Sequence, residues 1–265
     1  MGRRYDFKVA EVTNQCITAI QDWFEENGRG CRAVIGISGG KDSTVVASLC
    51  ARALGNHRVV GVSMPNGIQS DIDDAKNVAK MLEIPLVEVN IGNVYNTAVS
   101  DIEKGLGKVW KNAYEMSEQA IINFPARLRM SVLYAVSQTV GGRVMNTCNL
   151  SEDYIGYSTR YGDSVGDYSP LARLTVTEVI RIGKYLGVPA EFVEKTPSDG
   201  LCGKSDEENI GFSYAILDQY IRIGTGGIDP EIAEKIRVMH EKNKFKMEPM
   251  PGFKPNIRSI FSGNF

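Results

Sequence analysis

Over the first 150 residues, short apolar runs alternate with helical patterns, and that alternation restricts the fold more than any other feature. "CRAVIGI", "HRVVGVSM", "PLVEVNI" and "GGRVMNTC" read as strands. Apolar residues at Val9, Val12, Cys16, Ile20 and Phe24 predict a leading helix over Asp6 to Asn27, which Gly28 and Gly30 end. A helix runs from the first glycine turn to about Leu54. Another occupies "SDIDDAKNVAKMLEI", with Ser70 or Asp71 as its cap and acidic residues in its first turn. A longer helical region is expected from about Asn112 to Val140. Strands that alternate with helices specify an α/β fold, a doubly wound and mainly parallel sheet with helices on both faces. Residues 148 to 173, rich in Gly, Ser, Asp and Tyr and without periodicity, read as functional loop. Helices resume in "TVTEVIRIGKYLG" and "SDEENIGFSYAILDQYI", and a last one spans about Asp229 to Lys242 before a Pro-rich tail. No repeat or linker divides the chain, so residues 1–265 are expected to form a single domain.

Composition narrows the partners. A net charge of −2 leaves no basic excess to neutralise a phosphate backbone, which argues against a nucleic-acid partner. Five scattered cysteines (Cys16, Cys31, Cys50, Cys148, Cys202) form no CxxC, so neither a zinc ribbon nor a dithiol centre is favoured. No apolar stretch approaches the roughly 20 residues of a membrane span. "MGRRYDFKVAEV" lacks the apolar segment of a signal peptide, and a cytoplasmic location is the expectation.

The chemistry concentrates in "VIGISGGKDSTVVASL", a glycine turn between an apolar strand and a helix. Such junctions suit anions, because glycine amides approach phosphate oxygens and the helix N-terminus carries a positive dipole end. A Walker A loop fails at Ile35 and Asp42, and a Rossmann turn fails at Ser38. Ser38-Gly39-Gly40-Lys41-Asp42-Ser43, entered through Gly36 and Ile37, resembles the PP-loop of the ATP pyrophosphatase superfamily, which cleaves ATP between its α and β phosphates. The Ser38 and Ser43 hydroxyls and the Gly39 and Gly40 amides suit a pyrophosphate leaving group. Lys41 adds positive charge, and Asp42 is placed to hold Mg2+.

Later segments are more specific. "VSMPNGIQSDIDDA", "FPARLRM", "NTCNLSEDYIGYSTRYGD", "TPSDGLCGKSDEENIGFSYAILDQYI" and "NKFKMEPMP" resemble, in order and spacing, the motifs of the NAD synthetase family. The resemblance implies ATP-dependent amidation of deamido-NAD (nicotinic acid adenine dinucleotide) by ammonia. The nicotinate carboxylate is adenylated with loss of pyrophosphate, and ammonia then displaces AMP to give NAD. It implies Asp42 and Glu152 as Mg2+ ligands, and Thr147 and Ser198 as hydroxyls on the ATP phosphates. Ser63, Met64 and Gln69 are implied near adenine. Arg127, Arg160, Asp167, Phe245 and Lys246 are implied as contacts to deamido-NAD. Asp163 is implied either to receive ammonium or to orient the nicotinate. A homodimer is implied too, with the helices around Asn112 to Val140 contributing.

The chain departs from the family pattern at Ser198 for Thr, Arg160 for Lys, Val176 for Lys and Phe245 for His. Two other readings compete. One is another PP-loop amidotransferase or a tRNA thiolase, of which the thiolase would be expected to carry paired cysteines and a basic RNA surface. A non-catalytic nucleotide sensor would need neither Glu152 nor the long loop that follows it. Only about thirty residues precede the first strand, and Cys16 has no evident general base, so ammonia rather than glutamine is the expected nitrogen donor.

Overall fold

The computed structural model describes residues 5–68, 72–111, 113–195 and 206–253. Four parallel strands, β1 (Arg32–Gly36), β2 (Val59–Ser63), β3 (Leu86–Glu88) and β4 (Gly142–Val144), pair in the order β3-β2-β1-β4. The first three helices are α1 (Val9–Asn27), α2 (Lys41–Leu54) and α3 (Ile72–Met81). α4 (Gly92–Trp110) and α5 (Glu118–Thr139) separate β3 from β4. After β4 come α6 (Leu150–Ile155), α7 (Val176–Tyr185), α8 (Ala190–Val193), α9 (Asp206–Ile210), α10 (Tyr214–Ile223) and α11 (Pro230–Asn243). The expected α/β architecture is present.

The two faces of the sheet are covered differently. Ala33, Ile35 and Val59 point into a cluster with Ile20 and Phe24 of α1, Leu49 of α2 and Val179 and Ile182 of α7, all buried. Val34, Val60, Val62 and Val144 point the other way, onto Met130 and Leu133 of α5. On that side Val132, Tyr134 and Val136 of α5 are only partly buried, and Val94, Ile102, Val109 and Trp110 of α4 are exposed. A third cluster joins Ile155 of α6, Val176 of α7, Ile210 of α9, Leu217 of α10 and Ile236 of α11. α7 contributes to the first and third clusters and so ties this C-terminal layer to the sheet.

Three elements differ from the sequence expectation. The helical region predicted from Asn112 is two helices: α4 ends at Trp110 and α5 begins only after Ser117, whose hydroxyl accepts the Ala120 amide. α4 escaped notice because Gly92, Gly105, Gly107 and several β-branched residues dilute its helix propensity. The stretch 148–173 is not all loop. Asn149 and Glu152 form a capping box that starts α6, and Gly156, at φ 64°, ends it. "SDEENIGFSYAILDQYI" is two helices, broken at Gly211 with φ +79°. The proposed caps Ser70 and Asp71 lie outside the described residues.

Candidate active site

The chain winds from β1 outward to β2 and β3, then crosses back to lay β4 on the other side of β1. The crevice at the C-terminal ends of β1 and β4 is therefore the switch point, where open parallel sheets bind ligands. Gly36 ends β1, and buried Ile37 continues the pairing by donating its amide to the Val62 carbonyl at 2.9 Å. Gly39 turns the chain at φ +77°. A Cβ there would lie 2.4 Å from the Cβ of Asp74, so both the turn and the approach of α3 require glycine. Gly40 is the N-cap of α2 and supplies no capping side chain. The first-turn amides of Lys41, Asp42 and Ser43 therefore remain for an anion. The Ser38 and Ser43 hydroxyls lie 3.2 Å apart beside them.

Asn149 organises the other wall. Fully buried, it accepts the Ser151 and Glu152 amides at 3.0 and 3.2 Å, donates Nδ2 to Asp42 Oδ1 at 3.1 Å, and donates its own amide to Glu152 Oε2 at 3.2 Å. One asparagine thus brings the two carboxylates that the sequence reading paired to a common point, although Asp42 and Asn149 are 107 residues apart. Burial, followed by the charge of Asp42, raises the Glu152 pKa well above the ordinary carboxylate range. Lys41 is 4% exposed, and its ammonium donates to Asp42 Oδ2 at 2.8 Å. Burial alone would lower its pKa, but the charges of Asp42, Glu152 and Asp206 more than reverse that.

Among the described residues no group of three or more His, Cys, Asp or Glu side chains forms a complete metal site. Mg2+ commonly binds through one or two carboxylates together with substrate phosphates. The Asp42–Glu152 pair fits that pattern, because a cation between them would offset both the burial and the Asp42 charge that raise the Glu152 pKa.

A second group of predicted residues gathers on the loop after α6. Thr159 donates its amide to Asp163 Oδ1 at 2.7 Å and its hydroxyl to Asn123 of α5 at 3.0 Å. Arg127 donates Nε to the Arg160 carbonyl at 3.3 Å. The Arg160 guanidinium lies over the Tyr161 and Phe245 rings, 5.0 and 5.3 Å from their centroids. Tyr161 is held at φ 63°, a left-handed conformation that costs a non-glycine residue energy and so marks a constrained loop. Asp163 is open to solvent, yet enough protein crowds it that desolvation raises its pKa against the Thr159 hydrogen bond and the Lys246 charge. Burial lowers the Lys246 pKa, and its ammonium donates to the Gly156 and Ser158 carbonyls at 2.7 and 3.2 Å.

Ser63 and Met64 are buried at the end of β2, and Thr147 is half-buried just past β4. Asp167 stands apart, because Oδ2 accepts the Val144 amide at 2.7 Å and Oδ1 the Tyr134 hydroxyl at 3.3 Å, where residues 167 and 168 run along the edge of β4 away from β1. Gln69 and Ser198 lie outside the described residues. Sequence reasoning missed Asn149, although Asn149-x-x-Glu152 is a legible capping signal. It also missed Arg129, whose Nε donates to the Met64 carbonyl at 3.0 Å, and Asp218, whose Oδ1 accepts the Ser151 hydroxyl at 2.5 Å. Both lie in segments that carry the family resemblance, "FPARLRM" and "TPSDGLCGKSDEENIGFSYAILDQYI", but the resemblance implied a role for neither.

An uncapped helix N-terminus beside an acid pair, at the switch point of a parallel sheet, is the arrangement of the PP-loop class. The NAD synthase family profile matches residues 12–250, and the chain belongs to that family. It is 36% identical over 228 residues to the NH(3)-dependent NAD(+) synthetase of Pyrococcus furiosus, covering 85% of this chain and 84% of that one. Among solved structures it is similar to an NMN synthetase from Francisella tularensis, with TM-score 0.83, 29% identity, and 95% and 100% of the two chains covered. It is also similar to an NH3-dependent NAD synthetase from Campylobacter jejuni, with TM-score 0.75, 26% identity, and 94% and 100% covered.

Proposed function

We propose that this chain is an ammonia-dependent ligase. It joins ammonia to the carboxyl group of deamido-NAD at the expense of ATP, giving NAD, AMP and pyrophosphate through an acyl-adenylate. The observation that carries this reading is the free N-terminus of α2 set against Asp42 and Glu152 on the hinge of Asn149. A carboxylate is a poor acyl donor, and adenylation turns its oxygen into a good leaving group. The chain's part is then to position reactants and to stabilise charge, with no nucleophile of its own.

In this reading Ser38, Gly39, Gly40, Lys41 and Ser43 cradle the β and γ phosphates, behind Gly36 and Ile37, and Thr147 and Ser198 add hydroxyls. Ser63, Met64 and Gln69 border adenine. Asp42 and Glu152 would hold Mg2+, which when bound neutralises phosphate charge as pyrophosphate departs. Arg127 and Arg160, with Phe245, Lys246 and Asp167, border the deamido-NAD site. Asp163, an accessible carboxylate near Lys246, either receives ammonium or orients the nicotinate.

The half-covered face beneath α4 and α5 supports a homodimer, since Val94, Ile102, Val109 and Trp110 are exposed there. Residues 1–265 act as one domain, and the cytoplasm is the proposed compartment. No helix among the described residues is long and apolar enough to cross a membrane.

A second acceptor is favoured by one finding, the 0.83 TM-score with an NMN synthetase. The same chemistry on the mononucleotide acid would give NMN. The deciding experiment is product analysis by mass with ATP, ammonium and either acid in separate reactions. Pyrophosphate and NAD formed only with deamido-NAD support the first reading. Faster turnover of the mononucleotide acid replaces it with the second. Glutamine in place of ammonium should give no sustained product. At fixed total ammonium the rate should rise with pH, since only unprotonated ammonia has a lone pair.

A further inference from the structure

In the reading above Lys41 serves the phosphates, yet in the structure it serves the carboxylates. Lysine is almost never this buried without a partner, and here the partner is Asp42, at 2.8 Å. Both oxygens of Asp42 are engaged, Oδ2 by Lys41 and Oδ1 by Asn149. Each oxygen keeps a second lone pair, but a metal that takes Asp42 as a ligand at Oδ2 would sit beside the Lys41 ammonium and repel it. Asn149 is not free to leave, because the same side chain caps α6 through the Ser151 and Glu152 amides. Lys41 is free to leave, on a four-carbon stem rooted in the turn of α2 whose amides face the phosphate position. Glu152 and Asp206 join Asp42 in attracting this one ammonium.

We propose that Lys41 is a resident counter-cation of the Asp42–Glu152 pair. A divalent metal displaces it only when nucleotide phosphates are present to receive the ammonium. Metal and ATP therefore enter together, and metal alone does not occupy the site. The proposal rests on the reading of Asp42 and Glu152 as the metal pair.

The test follows Mn2+ binding through the electron paramagnetic resonance signal of the free ion, with and without an ATP analogue whose α–β bridge is a methylene. The wild-type chain should bind Mn2+ at the site only with the analogue. Lys41→Met should gain nucleotide-free binding by about tenfold or more, because a neutral side chain no longer competes at Asp42. Lys41→Arg, which keeps the charge, should behave as wild type. Where Lys41→Met loses the fold by circular dichroism, Lys41→Gln keeps a donor to Asp42 without the charge and takes its place. Wild-type binding equally tight without the analogue overturns the proposal, and so does a neutral variant no tighter than wild type. Asp42→Asn separates the two layers. If it leaves Mn2+ binding with the analogue unchanged, the metal-pair reading itself fails. If it abolishes that binding while the neutral variant gains nothing, only the proposal about Lys41 fails.

Discussion

The two walls of the site reach the same precision by opposite means. The β1–α2 wall is made by neighbours in sequence, in which Gly39 and Gly40 shape a turn between a buried strand and a buried helix. The α6 wall is a six-residue helix, too short to hold itself. At its start, Asp218 of α10 accepts the Ser151 hydroxyl at 2.5 Å and the Thr177 amide at 2.7 Å. At its end the carbonyls of Tyr154, Ile155 and Gly156 meet His240, Asn243 and Lys246, at 2.7, 2.9 and 2.7 Å. Gly156 permits this, since a Cβ there would lie 2.4 Å from the Cβ of Asn243. One wall is folded by its own residues and the other is held from outside. A catalytic geometry can thus depend on residues that touch no substrate.

The largest expected effect treats the walls alike. Asp42→Asn and Glu152→Gln each remove charge with little change in shape, and each should slow pyrophosphate release by about a hundredfold or more. Near-normal release in both variants would remove the acid pair from the mechanism.

The next change touches only the borrowed wall. Ser151→Ala takes the buried partner from Asp218 Oδ1 and from the Val176 amide, while Asp218 Oδ2 keeps the Thr177 amide, at a cost of about 1–3 kcal/mol. The melting temperature should fall, and the Mg2+ concentration for half-maximal rate should rise with Glu152 loosened. A lower melting temperature with an unchanged Mg2+ requirement would show that α6 holds Glu152 without Asp218.

Arg127→Ala sharpens the contrast at the loop. Arg127 spans α5 and the Arg160 carbonyl, and its loss should raise KM for deamido-NAD about tenfold while KM for ATP stays within about twofold, the size of one lost charged contact. Equal effects on both substrates would make Arg127 a strut.

The smallest effect is electrostatic. Burial and the nearby Asp163 push the Asp153 pKa up to about 6, so the folded chain binds this proton more tightly than the unfolded chain does. Stability contributed by the protonated group is complete below the unfolded value of about 4 and is lost as pH rises towards 6. Asp153→Asn should flatten the stability profile, measured by urea unfolding, over that interval. An unchanged slope would place the carboxylate in freer solvent.

The same contrast explains what the sequence disclosed. Strands buried on both faces, the glycine turn and the late helices were legible because each is encoded by adjacent residues. Glu152 was recognised through its motif, but its helix was read as loop because only six residues form it. Asp218 and Asn243 fall within the quoted motifs, but what they hold was not legible, since their partners lie 67 and 88 residues away. α4 was hidden for another reason: its glycines and half-exposed apolar residues weaken the helical period on a face left uncovered.

The clamp on Gly156 also bears on how the enzyme is made. Lys246 lies 90 residues beyond the carbonyl it holds, and ribosomes add about 5–20 residues per second. For roughly 5 to 20 seconds after Gly156 is polymerised, the residues of the Gly39 turn are already made while α6 has no clamp at its end. Stalled ribosomal complexes ending before and after α11 would test this timing, with protease cleavage around residues 156–160 expected to stop only in the longer ones.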